Sequence, residues 1–342
     1  PVDIIALEVG YGLIPMVDAE QAGDLLERIR SFRLQIAKEI GIVVAPIHIQ
    51  DNMKLKPGEY SILLKGNEVA NGELMMNHYL AMDPGNADGK IGGVPTKEPT
   101  YGLPAFWIKE GARENALAKG YTVVDLSTVL ITHLSDVIRR HAHELLGRQE
   151  VQQLVDNLKT SYPKVVEELI PNLLPLGAVG KVLQNLLIEQ IPIRDMLTIL
   201  ETLADWAPMI KDADTLTEYV RQALARTITK LYQSPEGNIP VITLDQNIEK
   251  TVAQAVQQTE QGSFLPIEPN VAQKIMNNVT RNLEKFSQLN QQPVVLCSPL
   301  IRSHFKKLAD RFIPDLVVLS YNEIVNNIQI HSIGTVALDN AN

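Results

Sequence analysis

The chain has few cysteines and no dense cluster of basic residues. Its single cysteine, Cys297, excludes an internal disulfide and favours a reducing compartment. Cys297 lies in the apolar run VVLC, which predicts a buried strand with a packed, unreactive thiol. The densest basic groups are the pairs Arg139–Arg140 and Lys306–Lys307, and the net charge is −9. Because nucleic-acid binding needs several cations on one face, the composition argues against a nucleic-acid partner.

Long apolar segments are also missing. No run of about 18 uninterrupted apolar residues predicts a membrane span, and no basic–apolar–small segment predicts a signal peptide. The chain opens with PVDIIALEVGYG and has no initiator methionine. We therefore expect it to be the soluble part of a larger protein.

Motifs for nucleotide binding and serine catalysis are absent. The segment PLGAVGKVL approaches a phosphate-binding loop, but that motif needs Gly at the position of Pro175 and Ser or Thr at the position of Val182. No G-x-G-x-x-G follows a predicted strand, and no G-x-S-x-G turn occurs. The sequence therefore predicts neither a nucleotide cofactor nor a serine nucleophile.

Two candidate metal motifs lack the residue types or the spacing that a metal site requires. In PGNADGKIGG, a calcium loop would place Pro84 and Pro95 where carboxylates are required. In HAHELLG, His141 and His143 are two residues apart on a predicted helix and cannot bind the same metal ion. We therefore predict no metal and no other cofactor.

We predict that the chain is not an enzyme, because no convincing catalytic constellation emerges. The alternative is an enzyme that works in a cleft between subdomains, with Asp83, Glu98 and His133 as its chemical groups. Binding of nucleotides or divalent metals would distinguish the two, because a bound ligand stabilises the fold.

The chain is long enough for several domains. Its 342 residues are 45% hydrophobic and 21% charged, which indicates a globular protein of about two to four domains. Strand and helix patterns alternate at both ends, and a nearly all-helical stretch punctuated by prolines lies between them. The predicted fold is α/β multidomain with four subdomains: a small α/β unit is inserted in the first, the third is all-helical and the fourth is α/β. The predicted boundaries are 1–76 plus 126–146, 77–125, 147–231 and 232–342.

Three local patterns predict particular elements. A long amphipathic helix is expected over residues 19–40. Its apolar stripe comprises Leu26, Ile29, Phe32, Ile36 and Ile40. The sequence Lys65-Gly66-Asn67 predicts a tight turn after a strand. Ser127 or Thr128 is expected to cap a helix that runs to Leu146.

An apolar and aromatic run is the most informative segment. It comprises Tyr101, Leu103, Ala105, Phe106, Trp107 and Ile108. Gly102 and Pro104 interrupt it, so its first part pairs poorly with a sheet and we expect its large side chains at a surface. Polar residues such as Glu98 and Thr132 are expected to rim this patch, which is typical of protein recognition. The alternative, that the two leading side chains complete a core, stays open.

Several segments together resemble one family. They are VGYGLIPMVD (9–18), HIQDNMKLKPGEYSILLKG (48–66), EPTYGLPAFWI (98–108), TVVDLSTVLITHL (122–134), ELLGRQEVQQLVD (144–156), KVLQNLLIEQIPIRDMLTILETLADWAP (181–208) and LVVLS (316–320). The chain is similar, nearly end to end, to the cytoplasmic domain of the FlhA family, the export-gate family of flagellar type III secretion. Injectisome export-gate paralogues share much of the helical block and remain an alternative. VGYGLIPMVD and PTYGLPAFWI favour the flagellar branch.

The resemblance implies a cytoplasmic docking platform of the flagellar export gate, at the cytoplasmic face of the bacterial inner membrane, below a membrane part that this chain lacks. It implies binding of flagellar export chaperones that carry filament-type substrates, so that export of the substrates is ordered. It further implies contact with other components of the export apparatus, the export gate and the ATPase complex, and a nonameric ring in the full-length protein. The isolated chain is expected to be a monomer.

The resemblance also implies a chaperone-binding dimple between the first and second subdomains. Its acidic rim position falls on Glu98, its central aromatic on Tyr101 and its hydroxyl residue on Thr132. The surrounding apolar positions are matched by Met82, Pro84, Leu103, Val124 and Val129. Three residues depart from the residue types expected from the resemblance, since Glu98 replaces an Asp, Tyr101 a Phe and Met82 an Ile.

Overall fold

A computed structural model describes residues 1–338 of the chain. Within these residues the backbone forms 13 α-helices and four β-sheets, which confirms the predicted mixed α/β class. None of these helices has the length and apolar character that a membrane span requires. The chain separates into two compact units, residues 1–150 and the residues from Val151 onward. The division into four subdomains stays a prediction, and the end of its fourth range, 339–342, lies outside the described residues.

The first unit contains two sheets and two long helices. Its elements are β1 (Ile5–Val9), α1 (Ile14–Val17), α2 (Leu25–Ile40), β2 (Ile47–Asp51), β3 (Glu59–Leu64), β4 (Asn67–Glu73), β5 (Tyr79–Met82), β6 (Val94–Lys97), β7 (Pro104–Ile108), α3 (Arg113–Ala118), β8 (Thr122–Val124) and α4 (Leu126–Arg140). The first sheet has the order β2-β1-β3-β4, in which β1 and β2 are parallel and the other pairs antiparallel. The second sheet, of order β6-β7-β5-β8, is antiparallel throughout.

Two edge strands of these sheets lack an alternating apolar pattern. Their sequences are NEVANGE in β4 and VPTK in β6, so the side chains predict no strand in either segment. Backbone pairing with β3 and β7 holds them in the sheets. Between β3 and β4, Lys65 and Gly66 have φ angles of 49° and 83°, which confirms the predicted tight turn.

Helix α2 carries the predicted apolar stripe with one correction. The stripe members Ile29, Phe32, Ile36 and Ile40 are buried. Leu25 is fully buried as well, whereas Leu26, the predicted member, is 49% exposed. The helix begins at Leu25 because residues 19–21 form a separate 3-10 turn. Gly41, with a φ of 93°, ends it in the left-handed conformation that glycine adopts without strain.

Helix α4 packs against α2 and has a different cap from the predicted one. The carboxylate of Asp125 accepts a hydrogen bond from the amide of Thr128 at 2.8 Å, so the cap is neither Ser127 nor Thr128. The helix ends at Arg140 and a short 3-10 helix follows, so the predicted end at Leu146 is wrong.

Along the chain, the second unit begins with helices and continues with a parallel sheet and the helices between its strands. Its elements are α5 (Arg148–Ser161, which begins at the end of the first unit), α6 (Pro163–Leu169), α7 (Leu176–Ile188), α8 (Met196–Trp206), α9 (Ala213–Ala223), α10 (Ala225–Tyr232), β9 (Ile239–Leu244), α11 (Gln246–Ala255), β10 (Gln257–Thr259), β11 (Gly262–Phe264), α12 (Pro269–Leu283), β12 (Val294–Cys297), α13 (Arg302–Asp310), β13 (Val317–Ser320) and β14 (Ile330–Val336). The parallel sheet has the order β13-β12-β9-β14, and β10 and β11 form a separate hairpin. Cys297 is fully buried in β12, as predicted.

Five charged side chains form a buried network in this second unit. Arg221, Arg302 and Glu323 are each at most 1% exposed. Arg221 donates a hydrogen bond to Glu323 at 2.6 Å. Arg302 donates to Glu189 at 2.9 Å and to Glu218 at 2.6 Å. Burial raises the pKa of Glu189, but attraction to Arg302 and Arg221 outweighs it and lowers this pKa to about 2. The network therefore joins the end of α7, helix α9, helix α13 and the segment after β13 through hydrogen-bonded pairs of arginine and glutamate.

We expect Glu323→Gln to destabilise the second unit strongly. The substitution keeps the shape of the side chain but leaves the guanidinium groups of Arg221 and Arg302 buried with less negative charge beside them. Breaking a buried ion pair by neutralising one partner costs about 3–5 kcal/mol. The measurement is urea unfolding followed by the fluorescence of Trp206, in a Trp107→Phe background, because these are the two tryptophans of the chain.

Lys307→Ala is the matched control. It removes an ion pair with Asp214 at 2.8 Å in which the two side chains are 59% and 45% exposed. Exposed pairs contribute about 0–1 kcal/mol, so this variant should unfold almost like the unchanged chain. An equal loss of unfolding free energy in the two variants would contradict the importance of burial in this network.

Candidate docking site

The turn between β6 and β7, residues 98–103, presents the aromatic run to solvent. The amide of Glu98 donates to the carbonyl of Leu103 at 2.8 Å, and the amide of Gly102 donates to the carbonyl of Glu98 at 2.9 Å. Gly102 has a φ of 69°, in the left-handed region that residues with a side chain rarely adopt. The chain therefore reverses tightly at this point before it enters β7.

The carboxylate of Glu98 lies inside this turn. It accepts hydrogen bonds from the amide of Thr100 at 2.9 Å and from the amide of Tyr101 at 2.6 Å. Glu98 is only 4% exposed. The expectation that Glu98 forms an exposed polar rim is therefore wrong, because its oxygens are used by the amides of its own turn.

Tyr101 and Leu103 are exposed, as the sequence predicts. Their exposed fractions are 64% and 51%, so neither side chain completes a core. The rest of the run lies in β7, where Trp107 and Ile108 are buried and Phe106 is half-buried. The residues before the strand therefore contribute most of the exposed area of the run, and Phe106 contributes a smaller part.

A groove with a volume of about 250 Å³ opens beside Tyr101. It is lined by Phe32, Gln35 and Ile36 of α2, by Ile131, Thr132, Ser135, Asp136 and Arg139 of α4, and by Tyr101. Two of the predicted site residues, Tyr101 and Thr132, thus meet at one concave surface. The hydroxyl of Thr132 donates to the carbonyl of Thr128 at 2.8 Å, so toward a partner it offers an acceptor and a methyl group.

The other predicted apolar residues lie outside this groove lining. Met82 and Val124 are half-buried on the neighbouring strands β5 and β8, Pro84 is exposed just after β5, and Val129 is 2% exposed in α4. Val129 therefore supports the surface from beneath and offers it almost no area. Leu103 is exposed on the same turn as Tyr101.

The α2 wall of the groove is the part that sequence reasoning missed. Phe32 and Ile36 belong to the apolar stripe, which predicts burial, and both are indeed buried. Their periodicity carries no sign that an opening lies between α2 and α4. Arg139 of α4, which also lines the groove, forms an ion pair with Glu39 of α2 at 2.5 Å. This pair could not be predicted from the sequence, because it depends on how the two helices pack.

An ion cluster holds the two groove helices together at one end. Arg28 on α2 donates to Asp125 at 2.7 Å, to Thr128 at 3.0 Å and to Asp24 at 2.7 Å. Burial raises the pKa of Asp125, but its hydrogen bonds with Thr128 and Arg28 outweigh this and hold the pKa below the ordinary value. Asp125 therefore stays ionised and links the start of α4 to α2.

A buried polar pair lies beneath the turn. The hydroxyl of Tyr60 on β3 and Nδ1 of His133 on α4 are 2.6 Å apart. Burial, helped by the negative charge of Glu98, raises the pKa of Tyr60. Burial lowers the pKa of His133, although Glu98 and Asp136 act in the opposite direction. His133 is therefore neutral at physiological pH and hydrogen-bonded inside the unit.

The three groups of the enzymatic alternative each have internal partners. The carboxylate of Asp83 accepts from the amides of Gly85 at 2.8 Å and Ala87 at 3.1 Å. Glu98 is bonded within its own turn, and His133 is bonded to Tyr60. The structure thus gives each group a local structural role.

Two solved structures share this fold, and one of them comes from a type III secretion system. CdsV of Chlamydia pneumoniae, in its complex with CdsO, is 28% identical, with a TM-score of 0.87 and coverage of 98% of each chain. The nonameric cytosolic domain of EscV from a type III secretion system is 26% identical, with a TM-score of 0.78 and coverage of 98% of this chain and 97% of that one. The chain therefore has the fold of the export-gate cytosolic domains that EscV represents.

The chain belongs to the FHIPEP family, whose model matches residues 1–329. The flagellar biosynthesis protein FlhA of Bacillus subtilis is 48% identical over 335 residues, which is 98% of this chain and 50% of that protein. The resemblance seen in the sequence motifs is thereby confirmed. The chain spans about half the length of the curated relatives it matches.

We expect the first unit to lose stability as the pH falls below about 6.5. Unfolded histidine titrates near this pH, whereas the pKa of folded His133 lies lower, so the unfolded chain binds the proton first and unfolding is favoured. One such proton contributes at most about 1.4 kcal/mol per pH unit. The measurement is urea unfolding at about pH 7.5 and pH 5.5, followed by Trp107 in a Trp206→Phe background.

His133→Gln should reduce this pH dependence, because glutamine can still bond to Tyr60 and does not titrate. His48→Gln is the control, since His48 is exposed on β2. If the loss of stability between the two pH values is the same in the unchanged chain and in His133→Gln, then His133 is not its source.

Proposed function

We propose that this chain is the cytoplasmic docking platform of a flagellar type III protein export gate. In this role it binds export chaperones that carry filament-type substrates and orders the export of those substrates. Membership of the FHIPEP family supports the export role. The flagellar branch is favoured over an injectisome paralogue, because identity is 48% to a flagellar FlhA and 28% and 26% to CdsV and EscV.

The observation that carries the proposal is the exposed aromatic ring of Tyr101 at the mouth of a groove. A tyrosine that is 64% exposed beside a concave surface of about 250 Å³ has the form of an interface anchor. Such residues supply a large rigid contact area at a low cost in side-chain entropy. Neighbouring Leu103 adds apolar area, and Thr132 adds a polar acceptor to the groove wall. An escorted protein segment, in helix or turn form, fits this chemistry.

The same relatives support proposals about the assembly and the cellular location of this chain. The EscV cytosolic domain is nonameric, which supports a nonameric ring for the full-length protein that contains this chain. The complex of CdsV with CdsO supports contact with other export-apparatus components, among them the ATPase complex. We place the chain at the cytoplasmic face of the bacterial inner membrane, joined to a membrane part, and as a monomer when isolated.

Docking in this proposal changes no covalent bond. The carboxylates of Asp83 and Glu98 and the imidazole of His133 hold their own loops and strands together. In the proposed role these groups maintain the structure around the docking site and transfer no proton. The energy for export therefore has to come from another component.

Tyr101→Ala should weaken binding of a cargo-loaded flagellar export chaperone by about 30-fold. Loss of an interface hot spot costs about 2 kcal/mol or more, and each 1.4 kcal/mol corresponds to about tenfold in Kd. The fold should persist because the ring is exposed. Isothermal titration calorimetry of the chain with purified chaperone–substrate complex measures the change.

Tyr162→Ala is the matched control for Tyr101→Ala, because Tyr162 is also exposed, at 48%, and lies in the other unit. Its Kd should equal that of the unchanged chain. Thr132→Asp is a second probe, since it adds a charge to the groove wall and should weaken binding as well. Unchanged affinity in both Tyr101→Ala and Thr132→Asp would overturn the assignment of this site.

A non-enzymatic chain should gain no stability from nucleotides or divalent metals. A ligand present at about 100 times its Kd would stabilise the fold by about 2.7 kcal/mol, a clear shift in Tm. The measurement is thermal unfolding with ATP, GTP, Mg²⁺ and Zn²⁺, each against buffer alone. A reproducible, saturable rise in Tm with any one of them would favour the enzymatic alternative.

A further inference from the structure

We propose that Glu98 is a positioning residue, which holds Tyr101 in water by closing the turn 98–103 and does not itself contact the partner. The proposal rests on the proposed function, because the site that it concerns is the docking site described above. It assigns to the carboxylate an indirect role in recognition, through the conformation of a neighbouring residue.

The first support is geometric. Each carboxylate oxygen of Glu98 accepts one amide of the turn, Oε1 from Thr100 at 2.9 Å and Oε2 from Tyr101 at 2.6 Å. The backbone of Glu98 makes two more bonds across the turn, to Leu103 and from Gly102. One residue therefore closes the turn with four hydrogen bonds, and one of them ends on the amide of the anchor residue itself.

The second support is accessibility. Glu98 is 4% exposed, whereas Tyr101, three residues on, is 64% exposed. A partner that covers the tyrosine ring meets almost none of the Glu98 surface. The charge of Glu98 acts inward, on the buried pair formed by Tyr60 and His133: it adds to the effect of burial that raises the pKa of Tyr60, and it opposes the effect of burial that lowers the pKa of His133.

The third support is the chemistry that the turn requires. The two amides of this turn donate to different oxygens of one side chain, and a carboxylate provides both oxygens with strong bonds. A glutamine has one carbonyl oxygen, and its NH2 group would face the second amide as donor against donor. An aspartate keeps both oxygens, and it bonds readily to amides two and three residues ahead. The turn should therefore tolerate Glu98→Asp and be disturbed by Glu98→Gln.

Tyr101 is 64% exposed, so packing fixes its ring only in part. Gly102 adds freedom, because glycine adopts many backbone conformations once the constraint is lost. With a bond of the turn broken, Tyr101 samples conformations that do not face the groove. Binding then decreases, although no contact between Glu98 and the partner has been removed.

The test is a double-mutant cycle measured with a purified flagellar export chaperone loaded with its filament-type substrate. We expect Glu98→Gln alone to weaken binding about tenfold, as for the loss of one buried hydrogen bond to a charged group. In a Tyr101→Ala background the same substitution should change Kd by less than about twofold, because the residue that it positions is gone. Glu98→Asp should restore binding to within about threefold of the unchanged chain.

Salt dependence separates positioning from direct contact. A carboxylate that pairs with a cation of the partner makes binding weaker at high salt, and its neutralisation removes part of that dependence. We expect the slope of log Kd against log salt concentration to be the same in the unchanged chain and in Glu98→Gln. A reduced slope, or full additivity with Tyr101→Ala, would overturn the proposal.

A readout in the free protein keeps the proposal testable if Glu98→Gln folds poorly. In the unchanged chain, the amide protons of Thr100 and Tyr101 should exchange with solvent slowly for residues of an exposed turn, because both amides donate to the carboxylate of Glu98. Rapid, unprotected exchange of both amide protons would overturn the positioning role.

The two proposals fail in different ways. If Tyr101→Ala leaves chaperone binding unchanged, the docking site itself is wrong. If Tyr101→Ala abolishes binding while Glu98→Gln leaves it intact, only the role of Glu98 is wrong.

Discussion

The hydrogen bonds from the amides of Thr100 and Tyr101 to the carboxylate of Glu98 are the constraint on which the exposed side of the first unit depends. A side chain in the core is fixed by its neighbours, but a largely exposed aromatic ring depends more on the backbone that carries it. Residues 98–103 supply that backbone, and the charge of Glu98 in this turn acts on the buried Tyr60–His133 pair. The groove walls are held separately, by the Arg28 bonds that tie α2 to the start of α4. These bonds constrain the anchor and the groove walls before any partner binds, and such preorganisation reduces the entropy lost on binding.

In the second unit, charged side chains form a buried network instead of closing a surface turn. Arg221, Arg302 and Glu323 are almost fully removed from water, and their mutual bonds join helices of the predicted third subdomain to the parallel sheet of the fourth. Such networks add little net stability relative to an apolar core, but they tolerate few alternative arrangements because every charge must find its partner. We infer that this network contributes specificity of packing within the second unit, so that α9 and α13 meet in one register.

Much of the fold could be read from the sequence, because its signals are local and repetitive. The stripe of α2, the turn at Lys65 and Gly66 and the buried strand around Cys297 each follow from side-chain pattern or turn chemistry. The edge strands β4 and β6 could not be predicted from the sequence, because their pairing depends on backbone groups contributed by β3 and β7.

Part of the site could also be predicted, where the signal in the sequence is local. The exposure of Tyr101 follows from the glycine and proline around it, and Thr132 was expected at the rim of the same patch, a position that the family resemblance also implied. The burial of Glu98 could not be anticipated from the sequence. A carboxylate three residues before an exposed aromatic residue is normally expected at the surface, and only the structure shows that two amides of the turn donate to it. The wall formed by Phe32 and Ile36 was equally hidden, since an apolar stripe predicts contact and gives no measure of the space left between two helices.

The choice of tyrosine at the anchor position bears on which partner fits. A phenylalanine at the same place would offer only apolar area, whereas the phenol of Tyr101 must keep a hydrogen bond, to water or to an acceptor, when the ring is covered. A partner that buries the ring without reaching its hydroxyl would lose that bond and bind less well. A partner with an acceptor at the rim of its apolar contact would keep it. In the proposed docking role, Tyr101 would therefore select among chaperones of similar apolar surface by a single polar atom, and Thr132, which also offers an acceptor, would extend that selection along the groove wall.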